Sequence, residues 1–259
     1  MNKIALMYHD VYKQSGTESG FQNESAFQYK ISEEEFESHV KEISKYCVNN
    51  NVDVLFTFDD GGISFLTIIA PILEKYNQKG IFFISTQYID TPLFLTKKQI
   101  KELRERGHII GSHSHSHPQN ISELANSDLL EEWSRSKKLL ESITGEEIKM
   151  ASIPNGYSNE RVALQAFQAG YDLLYTSEPS TKIIKFDNFY LMGRYVVYEG
   201  MTKNDVMNIA TSKSKRTIMH LKWSVINLIK NILGSHYSSL KTKIYPRKYI
   251  EIYIVYGYN

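Results

Sequence analysis

"VDVLFTFDDGG", residues 52–62, is an apolar run that ends in two adjacent carboxylates, Asp59 and Asp60, with paired glycines directly behind them. The run up to Phe58 has the length and composition of a buried strand. Like charges delivered side by side at a strand end oppose each other. Repulsion and desolvation both push carboxylate pKa values up unless something positive lies beside the pair. A metal ion is the common counter-charge. Alone, the four residues also fit a plain turn, with Asp making Asx-type hydrogen bonds and Gly supplying positive φ. The deciding question is whether the chain holds further ligands.

Outward from this strand the pattern alternates. "KIALMY" (3–8) is a short apolar run, strand-like and too short for a helix. Ser32 and Glu35 stand at capping-box spacing, and Phe36, Val40 and Ile43 behind them fall on one helical face. Residues 63–80 read as a mostly buried helix, kinked at Pro71 and ended by Gly80. Strands are predicted at 81–85, 108–113, 149–153 and 172–177, with helices at 96–107, about 127–143 and 159–170. Strand–helix alternation argues for parallel βαβ units in one α/β domain, and about 250 residues is ordinary for one such barrel. Polar residues recur just after the strands: His9 and Asp10, Asp59 and Asp60, a histidine cluster, then "PNGY" (154–157). In parallel barrels that carboxyl-terminal edge is where chemistry gathers.

The bulk composition narrows the class. With 42% hydrophobic and 23% charged residues the chain is globular rather than disordered. Cys47 is the lone cysteine, which excludes an intrachain disulfide and a cysteine-built zinc knuckle. The N-terminal apolar stretch is broken by His9 and Asp10, too soon for a signal peptide, and no run approaches the ~18 apolar residues that span a bilayer. A cytoplasmic location, with peripheral membrane contact, is the expectation. The net charge of +1 hides an asymmetry: 206–250 contains nine Lys/Arg and no Asp or Glu. The reading is a barrel over 1–205 and a basic extension, 206–259, packed on it or completing it. Such a run is commonly a solvated face; mixed with Trp223, Tyr237, Tyr245 and Tyr249, its sharper reading is attraction to an anionic lipid surface or an acidic glycan. No binding motif accompanies the charge that would point to nucleic acid.

"GSHSHSHP" (111–118) holds three of the chain's eight histidines. On a helical or tightly turned backbone His113 and His117 share a face and His115 turns away; on an extended one all three share a face. Two histidines and a carboxylate from the Asp pair leave coordination positions open, a catalytic arrangement for zinc, cobalt, nickel or iron. The second carboxylate is then free to act as a base.

"TFDDGG" (57–62), "GSHSHSHP" and "IPNGY" (153–157), in this order and spacing, resemble the polysaccharide deacetylase family, the NodB homology domain of carbohydrate esterase family four. The resemblance runs from about residue 3 to 200 and includes "LMYHDV" (6–11) and "LTKKQIKELRERGHIIGSH" (95–113). It implies a distorted, TIM-like (β/α)7–8 barrel that removes N-acetyl groups from N-acetylglucosamine-like units of a polysaccharide, oligosaccharide or lipid-linked glycan precursor, with one divalent metal ion, zinc first. Carried over residue by residue, Asp59 matches the catalytic base and Asp60, His113 and His117 the metal ligands. Asn155 stands where a backbone N–H helps hold the oxyanion. The first-strand "YH" resembles that of exopolysaccharide deacetylases and makes His9 the general acid, ahead of His220, which falls on the polar face of an amphipathic helix with Ser224, Asn227 and Asn231. Pro154, Tyr157 and Arg194 are the substrate-side residues.

Two features depart from the family pattern. Ser152 stands where many members have an Arg that braces the base, and Arg194 is its candidate substitute. Asn155 replaces the usual Tyr or Phe after Pro. Rival readings are an O-deacetylase, a non-sugar amidase, and a catalytically silent glycan-binding module. The last should show a broken motif, and Asp59, Asp60, His113 and His117 are all intact.

Overall fold

A computed structural model describes residues 3–50, 52–186 and 189–233, with side chains of the final helix as far as 228. The chain divides into two compact units after Thr211, so the helix Lys203–Thr211, assigned in part to the extension from its sequence, belongs with the first unit. Residues 234–259, including Tyr237, Tyr245 and Tyr249, lie outside the described residues.

The strands are β1 (Ile4–Tyr8), β2 (Val11–Tyr12), β3 (Ile31–Ser32), β4 (Val54–Phe58), β5 (Gly80–Ile84), β6 (Ile109–Ser112), β7 (Met150–Ser152), β8 (Leu173–Tyr175), β9 (Ile183–Phe186), β10 (Phe189–Met192) and β11 (Tyr195–Val196). Nine of them form one sheet, ordered β11–β1–β4–β5–β6–β7–β8–β10–β9, while β2 and β3 pair separately. Every neighbour in the large sheet is parallel except the β9–β10 hairpin. The sheet curls into an open half-barrel whose edges, β11 and β9, are not neighbours. This is the distorted α/β barrel expected from the sequence.

Both faces of the central strands are covered, which is why β1 and β5 read as unbroken apolar runs. Tyr8, Phe58 and Phe82 meet Phe36 and Phe65 from the flanking helices; Phe82 lies 5.0 Å, ring centre to ring centre, from both Phe58 and Phe65. Each such edge-on or tilted pair adds about 0.5–1.5 kcal/mol beyond burial alone. The opposite, inward face carries Ala5, Ile81, Phe83, Tyr175 and Met192. The helix Glu33–Asn50 begins as its sequence predicts, with Ser32 and Glu35 exchanging hydrogen bonds, and it buries Phe36, Val40 and Ile43.

One local expectation is corrected. Gly80 does not end the preceding helix, which stops at Lys75 after a π-turn, Phe65–Ile69, that precedes Pro71. Gly80 instead opens β5, where a Cβ would lie 2.9 Å from the Phe82 ring and 3.0 Å from Leu73. Asn77, with φ 56, makes the left-handed turn out of the helix.

Candidate active site

The carboxyl ends of β1, β4, β6 and β7, with the turn after β10, deliver His9, Asp59, Asp60, His113, Ser152 and Arg194. Alternation along β4 points Asp59 to the same side as Thr57, into the half-barrel, and regular extension would send Asp60 the other way. Asp60 instead has φ 90, a rare conformation for a non-glycine residue, and this re-aims its carboxylate toward the histidines. The two glycines behind it have separate reasons. Gly61 has φ 98. Gly62 leaves room for buried Asp10: a Cβ there would stand 1.9 Å from its Oδ1. That same oxygen accepts from Ser19 and Ser64 at 2.6 and 2.8 Å.

Asp59 is buried and bound in a fork by Arg194, Nη1 to Oδ1 at 2.6 Å and Nη2 to Oδ2 at 2.7 Å. Arg194 also donates to the Thr57 hydroxyl and the Thr176 carbonyl. Burial pushes the Asp59 pKa up, and the Arg194 charge and hydrogen bonds, with help from His113 and His9, more than reverse this, holding it below the usual carboxylate range. Arg194 is 0% exposed, so its assignment as a substrate contact gives way: wholly covered, it binds Asp59 instead.

Ser152 has its own place. Its Oγ donates to Asp59 Oδ1 at 3.2 Å and accepts from His113 Nδ1 at 2.6 Å, and its carbonyl accepts from the same nitrogen at 3.1 Å. A carbonyl can only accept, so Nδ1 carries the proton and the His113 lone pair sits on Nε2. That lone pair faces Asp60 Oδ1 at 3.5 Å, and His117 Nε2 lies 3.3 Å from the same oxygen. Burial pushes the His113 pKa down to about 4, against the attraction of Asp59, so the ring is neutral near pH 7 and offers Asp60 no proton. Two lone pairs face each other there, an arrangement that suits a cation between them. Burial also pushes Asp60 up, but the His117 hydrogen bond first, and then the attraction of the surrounding imidazoles in their protonated forms, outweigh it and hold Asp60 well below the usual range.

Asp60, His113 and His117 each offer one ligand atom, all within 4.8 Å of one another. Bonds of about 2.0–2.2 Å to a tetrahedral ion place ligand atoms roughly 3.4 Å apart, which the Asp60–histidine spacings match. The donor set therefore fits one divalent ion with positions left open. His113 and His117 share the site through turns rather than a helix: Ser114 and His117 have φ 62 and 55. Glu132, from the helix Asn126–Thr144, accepts the His115 and Ser116 N–H groups and fixes the loop. His115 turns away onto the Thr86 hydroxyl at 2.8 Å.

The remaining sequence-selected residues lie around this centre. His9 stacks on Tyr29, 4.6 Å between ring centres, and is one of the groups that lower the pKa of both aspartates. Its Nδ1 is buried without a hydrogen-bond partner among the described residues. Asn155 takes a left-handed conformation, φ 55, with its side chain on the Pro118 carbonyl; Pro154 is buried and Tyr157 is 44% exposed. His220 lies in the second unit, stacked on Trp223. Sequence reasoning missed Ser152 as a partner of both Asp59 and His113, Glu132 as the loop clamp, and the ring pair Phe21 and Tyr29 against His117 and His9.

Comparison with known proteins adds to this geometry. Residues 48–174 match the model of the polysaccharide deacetylase family. YxkH of Bacillus subtilis, described as a candidate polysaccharide deacetylase, is 31% identical over 149 residues, 58% of this chain and 53% of that protein. The peptidoglycan-N-acetylmuramic acid deacetylase PdaA of Bacillus subtilis is 24% identical over 61% of this chain and 60% of its own length. The chain thus spans about half, or a little more, of the length of these two relatives. Among solved structures, the Streptococcus pyogenes deacetylase PplD in complex with acetate superposes with a TM-score of 0.66 at 20% identity, covering 81% of this chain and 98% of that one, a likeness of fold. The matched segment, 48–174, contains Asp59, Asp60, His113, His117 and Ser152, so the likeness to the polysaccharide deacetylase family takes in the centre of the candidate site.

Proposed function

We propose that the protein is a metal-dependent hydrolase that removes the acetyl group from the amide nitrogen of an N-acetylated amino sugar in a glycan. One observation carries the reading: a carboxylate held ionised by a buried arginine stands beside a three-donor set. Asp59 Oδ2 is 3.9 Å from His113 Nε2.

Asp60, His113 and His117 would hold the divalent ion, zinc being the best match to two imidazoles and a carboxylate; when bound it polarises the acetyl carbonyl and acidifies a neighbouring water. Asp59 takes the proton of the attacking water, and the Arg194 fork keeps the receiving carboxylate fixed in place. The turn at Pro154–Gly156 offers the Asn155 backbone N–H to the oxyanion. An amine leaves poorly without a proton, and His9, on the first strand and stacked on Tyr29, supplies it. Around this centre Phe21, Tyr88 and Tyr198 are partly exposed rings suited to lie against sugar faces. The likeness to PdaA, a peptidoglycan-N-acetylmuramic acid deacetylase, supports the amino-sugar class. The substrate's place in a polymer or on a lipid-linked precursor is part of the proposal, as is kinship with first-strand-histidine exopolysaccharide deacetylases.

The test is acetate release from N-acetylglucosamine oligomers and from O-acetylated xylan, after chelation and after return of zinc. Release from the N-acetyl substrate, lost on chelation and restored by zinc, is expected. Release from the O-acetyl substrate alone would move the reading to an esterase. A zinc-loaded protein inert on both would overturn the deacetylase reading.

A further inference from the structure

The helix Lys213–Leu233 belongs to the second unit and shares no residue with the site. Its sequence contains Lys213, Lys215, Arg216, Lys222 and Lys230 and no acidic residue. Ile218, Leu221, Val225 and Leu228 follow each other at steps of three, four and three, which sets them on one side of the helix. All four are exposed, by 50–60%. At 1.5 Å per residue the stripe is about 15 Å long, and Ser214 and Thr217 are exposed as well. Branched apolar side chains gathered in this way mark an interaction surface.

We propose that this face seats the protein on an anionic lipid surface. Charge decides among the candidate occupants. A second copy of the helix would set cations against cations with no acid to answer them, the reverse of what paired helices use. A nucleic-acid backbone would meet the cations and leave the apolar stripe in water. A bilayer carrying anionic headgroups satisfies both: the four apolar side chains enter the acyl boundary and the basic residues stay among the headgroups. The helix does not cross the membrane; among the described residues no helix is long and apolar enough. Binding of this kind would hold the enzyme where membrane-attached glycans are presented.

The experiment is co-sedimentation of the full chain with phosphatidylcholine vesicles, with and without a phosphatidylglycerol fraction. Wild type is compared with Leu221→Asp/Val225→Asp and with Lys213→Glu/Lys215→Glu, and circular dichroism checks that each variant keeps its helix content. The proposal expects binding that requires phosphatidylglycerol, weakens with salt, and falls about tenfold or more in the Asp variant. The Glu variant should keep its fold and lose the salt-sensitive part. Equal vesicle binding by wild type and both variants would overturn it. So would a wild-type dimer that the Asp variant splits and that ignores vesicles, which would make the stripe a self-association face.

Discussion

Asp59 and Asp60 are chain neighbours at the end of β4, both buried, yet their surroundings differ in kind. Asp59 has a cation built into the fold, the Arg194 guanidinium, with both oxygens taken. Among the described residues Asp60 faces the imidazole nitrogens of His113 and His117, and for His113 the proton is committed elsewhere, to Ser152. One carboxylate has its counter-charge within the chain, and the other stands in a donor set that fits a cation from outside it. That difference divides the labour: a satisfied, ionised carboxylate can act as a base, and an unsatisfied one beside lone pairs can act as a ligand. It also bears on why the strand tolerates two adjacent acids: Asp59 is neutralised by Arg194, and Asp60 lies where a bound cation would neutralise it.

The sharpest way to break the comparison is through the Asp59 side. Asp59→Asn should lower kcat by about 10²–10⁴-fold, the usual worth of a general base, while zinc stays bound, as measured by metal content and acetate release. Loss of zinc as well would mean that the two carboxylates share one role. Arg194→Met leaves Asp59 buried and unpaired and should cost about 3–5 kcal/mol of stability in denaturant unfolding. The double variant Asp59→Asn/Arg194→Met should recover much of that loss, because it removes the orphaned charge; additive losses would show that the fork is not a coupled unit.

Ser152→Ala probes the link between the halves. The Ser152 carbonyl still holds His113 Nδ1, so the tautomer survives and only the hydroxyl bridge goes. Zinc affinity should fall about tenfold, at the low end of the range for groups that orient a metal ligand; no change in a zinc titration would confine the bridge to Asp59. A smaller effect limits the pH range in which these measurements are read. Burial keeps His39 and His108 less basic in the fold than in the unfolded chain. Below about pH 6.5 the unfolded chain therefore binds more protons. Stability is then full above that pH and declines as pH falls through it toward the folded values. Unfolding midpoints near pH 5 should be lower than at pH 7.5, and His108→Gln, if it keeps the Gly80 N–H bond, should soften the decline.

What could be read from sequence was what is local along the chain. The strand before Asp59, the Ser32–Glu35 cap and the His113/His117 pair all declare themselves within a few residues. The brace did not, because Arg194 lies 135 positions from Asp59 and outside the family-matched segment. Sequence offered it both as a candidate substitute for the brace and as a substrate-side residue, with nothing local to choose between them. Ser152 read as a missing arginine, and only the geometry gives it work, since a hydroxyl that bridges β7 to β4 and β6 leaves no local pattern. The histidine spacing pointed to the pair that the fold brings beside Asp60, but the left-handed turns at Ser114 and His117 and the Glu132 clamp arise from tertiary contacts. The antiparallel β9–β10 hairpin breaks the βαβ rhythm and was not anticipated for the same reason: nothing in a regular alternation announces its end.

The division between the carboxylates is tested most directly by zinc titration calorimetry on wild type, Asp59→Asn and Asp60→Asn. One site per chain in wild type and Asp59→Asn, with binding lost or weakened at least about a hundredfold in Asp60→Asn, is the predicted result. Equal zinc affinity in all three, or equal loss in both variants, would contradict it.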